Sequence, residues 1–290
     1  MEEKMNIQWY PGHMTKTRRQ MEADLKLVDA VCEIVDARIP MSSRNPDIDS
    51  IFGSKPRIII LNRMDLADPK ATKAWAAYFK NLGYAVVITD CKSRRGIGDF
   101  QTAVQTVLKE KIERNAAKGM HKPVRIMIVG IPNVGKSTFI NQVSGRKGVK
   151  AENRPGVTRG KQWVTVNPTL LLLDTPGILW PKFEDPEVGM MLAYTGAVKD
   201  GILDVEELAC HLISVLHRRY PQALKDRYKL EAEQGTPGYE LLEMAGRKRG
   251  FLVSGGEINT ERMAKVLLDE YRSGKLGRIT FEEPEDSENG

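Results

Sequence analysis

Short apolar segments alternate with amphipathic segments over the first two-thirds of the chain. Five segments rich in branched aliphatic residues each end at a polar or glycine-containing turn: residues 30–35, 57–61, 85–88, 124–129 and 170–173. Segments with helical spacing of apolar residues lie between them: residues 14–28, 71–82, 100–112 and 137–143. Short buried strands that alternate with helices predict a doubly wound, mostly parallel sheet covered on both faces, which is an α/β fold.

The strand pattern stops after residue 185, and the apolar residues of the last third recur at helical spacing. Leu208, Leu212 and Leu216 lie on one face of such a helix. We therefore expect an α/β domain over residues 1–185 and an all-α domain over residues 186–281, both of ordinary domain size.

Three further segments are expected within and beyond these domains. Residues 1–28 form an N-terminal segment and helix. Residues 109–122 (KEKIERNAAKGMHK) are charged and lose their apolar periodicity, so they are expected to be a linker between two halves of the α/β domain. Residues 282–290 (EEPEDSENG) are strongly acidic and are expected to form a solvated, disordered tail.

Composition narrows the function classes. Of the 290 residues, 41% are hydrophobic and 28% are charged, and no stretch reaches the roughly 18 apolar residues needed to cross a bilayer. The three cysteines are scattered without metal-ligand spacing, which indicates free thiols and a cytoplasmic protein. The net charge is +6, made up of +10 over residues 1–200 and −4 over residues 201–290. The basic part suits a polyanionic partner.

The strongest local motif is residues 130–137 (GIPNVGKS), a G-x-x-x-x-G-K-S phosphate-binding loop. It follows the predicted strand 124–129 and opens a predicted helix, as this motif requires. Its backbone N–H groups and the helix N-terminus are expected to hold phosphate oxygens. Lys136 is expected to reach the β- and γ-phosphates, and the Ser137 hydroxyl to bind Mg²⁺.

Two downstream features complete a nucleotide and Mg²⁺ site. Residues 174–177 (DTPG) follow the predicted strand 170–173, so Asp174 is expected to hold Mg²⁺ through water. Gly177 lets its backbone N–H approach the γ-phosphate, where a side chain would collide. Thr158, between the two motifs, is placed to put its hydroxyl on the same Mg²⁺ as the switch threonine.

The base-specificity motif lies upstream of the phosphate-binding loop. The only Asn-x-x-Asp sequence in the chain is residues 62–65 (NRMD), directly after the predicted strand 57–61. The Asp65 carboxylate can accept from two adjacent N–H donors of guanine, whereas adenine offers an acceptor there and is rejected. Residues 89–93 (TDCKS) then fit the loop that contacts guanine O6 through a backbone N–H.

The motif order along the chain is therefore circularly permuted, and here the sequence resembles a known family. Residues 9–14 (WYPGHM), 35–40 (VDARIP), 43–46 (SRNP), 130–138 and 174–180 (DTPGILW) match circularly permuted GTPases of the ribosome biogenesis GTPase A family (RbgA/YlqF). The matches continue in the last third, at residues 248–250 (KRG) and 254–256 (SGG). Arg63 is a departure, because the family usually has lysine at that position.

The resemblance implies a GTPase whose GTP hydrolysis serves late maturation of the large (50S) ribosomal subunit, slow alone and stimulated by the ribosome. It implies contacts with rRNA and ribosomal proteins, offered by basic residues such as Arg247, Lys248 and Arg249, and a monomer off the ribosome. Ile178 stands where many GTPases have a water-orienting glutamine. The resemblance points instead to His13 as the candidate catalytic histidine and to Asn133 as a candidate K⁺ ligand.

The sequence thus gives a full set of expected site residues. Those expected to bind GTP or GDP are Asn62, Arg63, Met64, Asp65, Asp90, Cys91, Asn133, Val134, Gly135, Lys136, Ser137, Thr138 and Gly177. The expected catalytic residues are His13, Lys136 and Thr158. The expected metal ligands are Ser137, Thr158 and Asp174 for Mg²⁺, and Asn133 for K⁺.

Two alternative functions stay open. A permuted GTPase could act on the small subunit, although such proteins often carry a zinc module or an OB-type barrel, and this sequence has neither C-x-x-C spacing nor a further run of strands. A metabolic P-loop kinase or ATPase is the alternative from another class, and the Asn62-x-x-Asp65 motif disfavours it.

Overall fold

The computed structural model describes residues 14–145, 162–177, 185–253 and 255–284. Six strands form one sheet: β1 (Ala30–Asp36), β2 (Arg57–Asn62), β3 (Ala85–Ile88), β4 (Val124–Val129), β5 (Gln162–Asn167) and β6 (Leu170–Asp174). Their spatial order is β3-β2-β1-β4-β6-β5, and every neighbouring pair is parallel except β5 with β6. The predicted doubly wound, mostly parallel sheet is confirmed.

The parallel register brings the ends of four strands together at one edge of the sheet. Asp36 pairs with Asn62 at the ends of β1 and β2, and Ile128 pairs with Asp174 near the ends of β4 and β6. Ligands of open α/β sheets bind beyond this carboxyl edge. The segments that follow these strands carry the predicted nucleotide motifs.

In the described part of the chain before residue 178, six helices accompany the sheet: α1 (Met14–Leu25), α2 (Ile48–Phe52), α3 (Pro69–Asn81), α4 (Asp99–Val107), α5 (Lys109–Ala117) and α6 (Lys136–Ser144). Buried α3 residues such as Trp75 and Phe79 pack with residues of β1 and β2. Helix α3 begins where Pro69 fixes the first turn and the Asp68 carboxylate accepts from the N–H groups of Lys70 and Ala71.

Two elements differ from the sequence expectation. The segment 109–122 is helical over most of its length, as α5, although no α5 residue is buried. Its lysine, glutamate, arginine and alanine residues favour a helix without an apolar face. Strand β5 was not predicted, because it is an antiparallel edge strand in which only Val164 is buried.

The described residues divide into two compact units, one within residues 185–279 and one made of residues within 14–177 together with 280–284. The described part of the first unit contains five α-helices: α7 (Pro186–Tyr194), α8 (Val205–Arg219), α9 (Pro221–Tyr228), α10 (Gly238–Lys248) and α11 (Thr260–Arg272). No helix within the described ranges is long and apolar enough to cross a membrane.

Glu270 on α11 ties together the helical unit. Its carboxylate accepts from Arg227 Nε at 2.8 Å, Tyr228 Oη at 2.7 Å and Arg249 Nη2 at 2.6 Å. Hydrogen bonding from Arg227 is the main reason that the pKa of Glu270 falls to about 2. Arg249, which the sequence offered as a phosphate contact, therefore has an internal partner, whereas Arg247 and Lys248 are exposed.

The expectation of a solvated tail from residue 282 onward is wrong for Glu282. This side chain is 8% exposed, and its carboxylate accepts from the backbone N–H groups of Met41 and Ser42. Burial raises the pKa of Glu282 to about 7. Counting charges along the sequence missed this residue because its donors lie about 240 positions away.

Candidate nucleotide-binding site

The phosphate-binding loop joins β4 to α6 and needs glycine at two points. Gly130 has a φ of 152°, and a Cβ there would lie 2.5 Å from the carbonyl oxygen of Ile34. Gly135 has a φ of 104°, and a Cβ there would lie 2.4 Å from Asn62 Nδ2. Any side chain at either position would push the loop away from the neighbouring strand ends.

Lys136 and Asp174 are two buried charged residues of the site. Lys136 Nζ donates to the carbonyl oxygens of Gly130 at 3.0 Å and Ile131 at 2.8 Å. Burial lowers the pKa of Lys136 to about 8, although the Asp174 carboxylate opposes that shift. Burial likewise raises the pKa of Asp174 to about 6. Both groups are therefore poorly solvated when charged. A bound anion would stabilise the charged Lys136, and a bound cation would stabilise the charged Asp174.

The described residues fit a bound Mg²⁺ ion. Both carboxylate oxygens of Asp174 are buried, and neither has a hydrogen-bond partner in the described part of the chain. Ser137 lies in the first turn of α6, beside Lys136, with its side chain half-buried. Carboxylate and hydroxyl oxygens are ligands that Mg²⁺ accepts alongside water and phosphate oxygens.

The D-T-P-G segment lies directly against the phosphate-binding loop. Thr175 Oγ1 donates to the Ile128 carbonyl oxygen at 2.7 Å, which fixes the segment to β4. A Cβ on Gly177 would lie 2.8 Å from Pro132 Cα and 2.9 Å from Lys136 Nζ. Glycine at this position therefore lets the backbone come within contact distance of Pro132 and Lys136.

Asn62 connects the base motif to both neighbouring loops. Its Nδ2 donates to the Val134 carbonyl oxygen at 2.8 Å. Its Oδ1 accepts from Thr89 Oγ1 at 3.0 Å and from the Cys91 N–H at 3.3 Å. The described hydrogen bonds of the Asn62 amide group thus go to other protein groups. They fix the position of the phosphate-binding loop relative to the loop after β3.

The loops that follow β2 and β3 support each other. The Met64 N–H donates to the Thr89 carbonyl oxygen at 3.1 Å, and Asp65 is half-buried next to it. Asp90 accepts from the N–H groups of Lys92 at 3.0 Å and Ser93 at 3.1 Å, so its carboxylate shapes the turn. The Cys91 thiol is buried, which raises its pKa to about 12 and keeps it protonated.

Arg63 contacts the phosphate-binding loop from the base motif. Its φ is 64°, a left-handed conformation that is uncommon for a residue with a side chain. Arg63 Nη2 donates to the Asn133 carbonyl oxygen at 2.8 Å, and Arg63 Nε lies 3.7 Å from Asp36 Oδ2. The arginine therefore bridges the base motif to the phosphate-binding loop.

Asp36 and Arg38 belong to this network, and reasoning from the residues alone did not assign them a role. Arg38 donates twice to the Asp36 carboxylate, from Nε at 2.9 Å and from Nη2 at 2.7 Å, in a buried pair. Burial alone would raise the pKa of Asp36, but Arg38 and Arg63 lower it overall. The sequence feature that could have identified them is the VDARIP match at residues 35–40, which begins at the last residue of the predicted strand 30–35.

Two predicted site residues, His13 and Thr158, lie outside the described residues. Ile178, which stands where many GTPases have a water-orienting glutamine, also lies outside them. The structure brings together the remaining predicted segments, which are the phosphate-binding loop, the NRMD motif, the loop after β3 and the D-T-P-G segment.

Comparisons with known proteins agree with this arrangement. The family model described as "50S ribosome-binding GTPase" matches residues 125–244, which include the phosphate-binding loop and exclude the upstream base motif. Ribosome biogenesis GTPase A of Priestia megaterium is 48% identical over 98% of this chain and 99% of its own length. The Bacillus cereus protein of the same name is 47% identical over 97% of this chain and 95% of its own length. GDP-bound YlqF from T. maritima superposes with a TM-score of 0.67 at 30% identity, covering 92% of this chain and 100% of that one.

Proposed function

Because this chain belongs to the ribosome biogenesis GTPase A family, we propose that it binds and hydrolyses GTP as an assembly factor for the large ribosomal subunit. The main support for the proposal is that Asn62 and Arg63 of the base motif donate hydrogen bonds to the phosphate-binding loop, although the base motif comes first in the chain. These contacts hold the two segments side by side, and one guanine nucleotide must contact both of them.

Each described side chain has a defined task in this proposal. Lys136, whose Nζ donates to two carbonyl oxygens of the phosphate-binding loop, binds the β- and γ-phosphates. Asp65 selects guanine by accepting from two N–H donors. Ser137 and Asp174 hold Mg²⁺, which when bound neutralises charge that develops on the phosphates. The Gly177 N–H approaches the γ-phosphate.

Water positioning is assigned to groups other than the usual glutamine, because Ile178 cannot polarise water. We assign His13 to this role and Thr158 to the Mg²⁺ ion as switch threonine. We also assign Asn133 to a K⁺ ion beside the phosphates, where a positive charge stabilises the transition state. Asn133 lies within the phosphate-binding loop and has a left-handed φ of 59°.

The ribosomal partner is a polyanion, and the chain carries a net charge of +6. We propose that exposed basic residues, among them Arg247 and Lys248, contact rRNA phosphates and that recognition is by shape and charge. We further propose a cytoplasmic location and a monomer off the ribosome.

Sedimentation with isolated 30S, 50S and 70S particles in a non-hydrolysable GTP analogue tests the partner. We expect the protein to pellet with 50S particles, to do so less with GDP, and to be released as salt screens its phosphate contacts. Hydrolysis should rise when 50S particles are added. Pelleting with 30S particles alone would indicate small-subunit function instead.

The K⁺ assignment predicts a cation response in the absence of ribosomes. At equal ionic strength, GTP hydrolysis should be faster in KCl than in NaCl, and Asn133→Ala should remove that difference while Mg²⁺ dependence persists. Matched ionic strength excludes general screening as the cause. Equal rates in both salts for the parent protein would remove Asn133 from the metal ligands and leave His13 as the assigned water-positioning group.

A further inference from the structure

The chain returns to the nucleotide-binding unit after the helical unit ends at Ile279. Thr280, Phe281 and Glu282 are 0%, 2% and 8% exposed, so this short segment is buried along its whole length. We call residues 280–282 the C-terminal strap.

The strap holds the loop that follows β1. Thr280 Oγ1 donates to the Ala37 carbonyl oxygen at 3.2 Å, and the Phe281 N–H donates to the Arg38 carbonyl oxygen at 2.9 Å. The Glu282 carboxylate accepts from the Met41 N–H at 2.6 Å through Oε2, and from the Ser42 N–H at 2.9 Å through Oε1. Both carboxylate oxygens are therefore used to fix this loop.

The strap also holds the start of α3, on the other side of the base motif. The Asp68 N–H donates to Thr280 Oγ1 at 3.0 Å. Trp75 Nε1 donates to the Glu282 carbonyl oxygen at 2.8 Å. Asp68 caps α3 and lies three positions after Asp65, so the strap anchors the distal end of the segment that carries the guanine-selecting carboxylate.

Side-chain contacts connect the loop after β1 to the base motif and to the phosphate-binding loop. Asp36 lies at the end of β1, and its N–H donates to Ser43 Oγ at 2.9 Å, which closes the loop that the strap holds. The Asp36 carboxylate pairs with Arg38 and lies 3.7 Å from Arg63 Nε. Arg63 in turn donates to the Asn133 carbonyl oxygen. Contacts are thus continuous from the strap to the nucleotide site.

We propose that the C-terminal strap is a positioning element for guanine recognition, which holds the Arg63–Asp65 segment in its binding geometry from both sides. The inference rests on the proposed guanine-nucleotide binding and adds three positioning residues far from the motifs in sequence. Arg63 adopts a left-handed backbone that its surroundings must maintain. The strap acts on Arg63 through the loop after β1, since the Asp36 carboxylate at the start of that loop lies 3.7 Å from Arg63 Nε. Loss of the strap contacts should loosen Asp65 relative to the base without removing any group that touches nucleotide.

Comparing GDP with inosine diphosphate tests this role, because inosine lacks the exocyclic amino group that Asp65 recognises. Affinities are measured by calorimetry for the parent, Glu282→Ala, Glu282→Gln, Thr280→Val and the control Glu110→Ala, which changes an exposed glutamate of α5. We expect Glu282→Ala and Thr280→Val to reduce the preference for GDP over inosine diphosphate about five- to tenfold, within the range of a weakened hydrogen bond to a charged group. Glu282→Gln keeps one acceptor oxygen and should retain part of the preference, and Glu110→Ala should retain all of it.

Melting temperatures of the nucleotide-free variants identify those that are folded at the temperature of titration, and only folded variants are compared. A purely structural strap would lower the melting temperature and leave the GDP preference of the folded protein unchanged, which would overturn the proposal. A parent protein that bound neither nucleotide, or preferred ADP to GDP, would overturn the proposed function itself. A preference that fell in Glu282→Ala and Thr280→Val and partly recovered in Glu282→Gln would support the strap.

Discussion

An Asp65→Asn variant is expected to lose GTP binding and to bind xanthosine triphosphate instead. The carboxylate accepts from two guanine N–H groups, whereas an asparagine amide places a donor where one of those N–H groups points. Xanthine carries an oxygen in place of the exocyclic amino group, and that oxygen can accept from the new amide. Sites built around such hydrogen bonds reject the wrong partner by about 10⁴-fold, so a change of this order in relative affinity is expected.

Direct titration of both nucleotides against parent and variant measures this exchange. Asp68→Asn is the matched control, since it makes the same chemical change three positions away and keeps an oxygen that can cap α3. The control should retain its preference for GTP. If Asp65→Asn also preferred GTP to xanthosine triphosphate, residues 62–65 would not be the base-selecting motif.

Lys136→Ala is expected to reduce GTP hydrolysis about 10²- to 10³-fold, the usual loss when one positioned charge-stabilising group is removed. Lys136 is the buried cation of the phosphate-binding loop, and its described hydrogen bonds go only to the carbonyl oxygens of Gly130 and Ile131. Phosphate binding gives that cation an anionic partner in a poorly solvated site. Affinity for GTP should fall along with the rate, because the ground-state phosphates lose the same partner.

Lys109→Ala is the control for this second prediction, because Lys109 begins α5, where no residue is buried. Single-turnover hydrolysis and nucleotide titration are measured for both variants, with circular dichroism to verify that each is folded. A Lys136→Ala protein with parental turnover would mean that the phosphates bind elsewhere. Reduced turnover in Lys109→Ala would mean that the assay responds to charge in general.

The sequence by itself determined five of the six strands of the described sheet and the identity of the nucleotide motifs. Residues 85–88 and 124–129 were predicted with the bounds that the structure has, because a buried parallel strand is a continuous apolar run bounded by turns. The phosphate-binding loop was equally readable, since its function depends on glycines and a lysine at fixed local spacing. The edge strand β5 was not predicted, because its alternation of exposed and buried residues is short and weak.

Only the tertiary structure decided how distant segments support one another. Asn62 contacts a carbonyl oxygen 72 positions away, Arg63 one 70 positions away, and Glu282 two backbone N–H groups 240 and 241 positions away. Glu282 begins the acidic run of residues 282–288, and the usual inference from such a run is a solvated tail. Its partners come within reach only once the sheet has assembled, and folding then supplies the hydrogen bonds that make burial of a charged side chain possible.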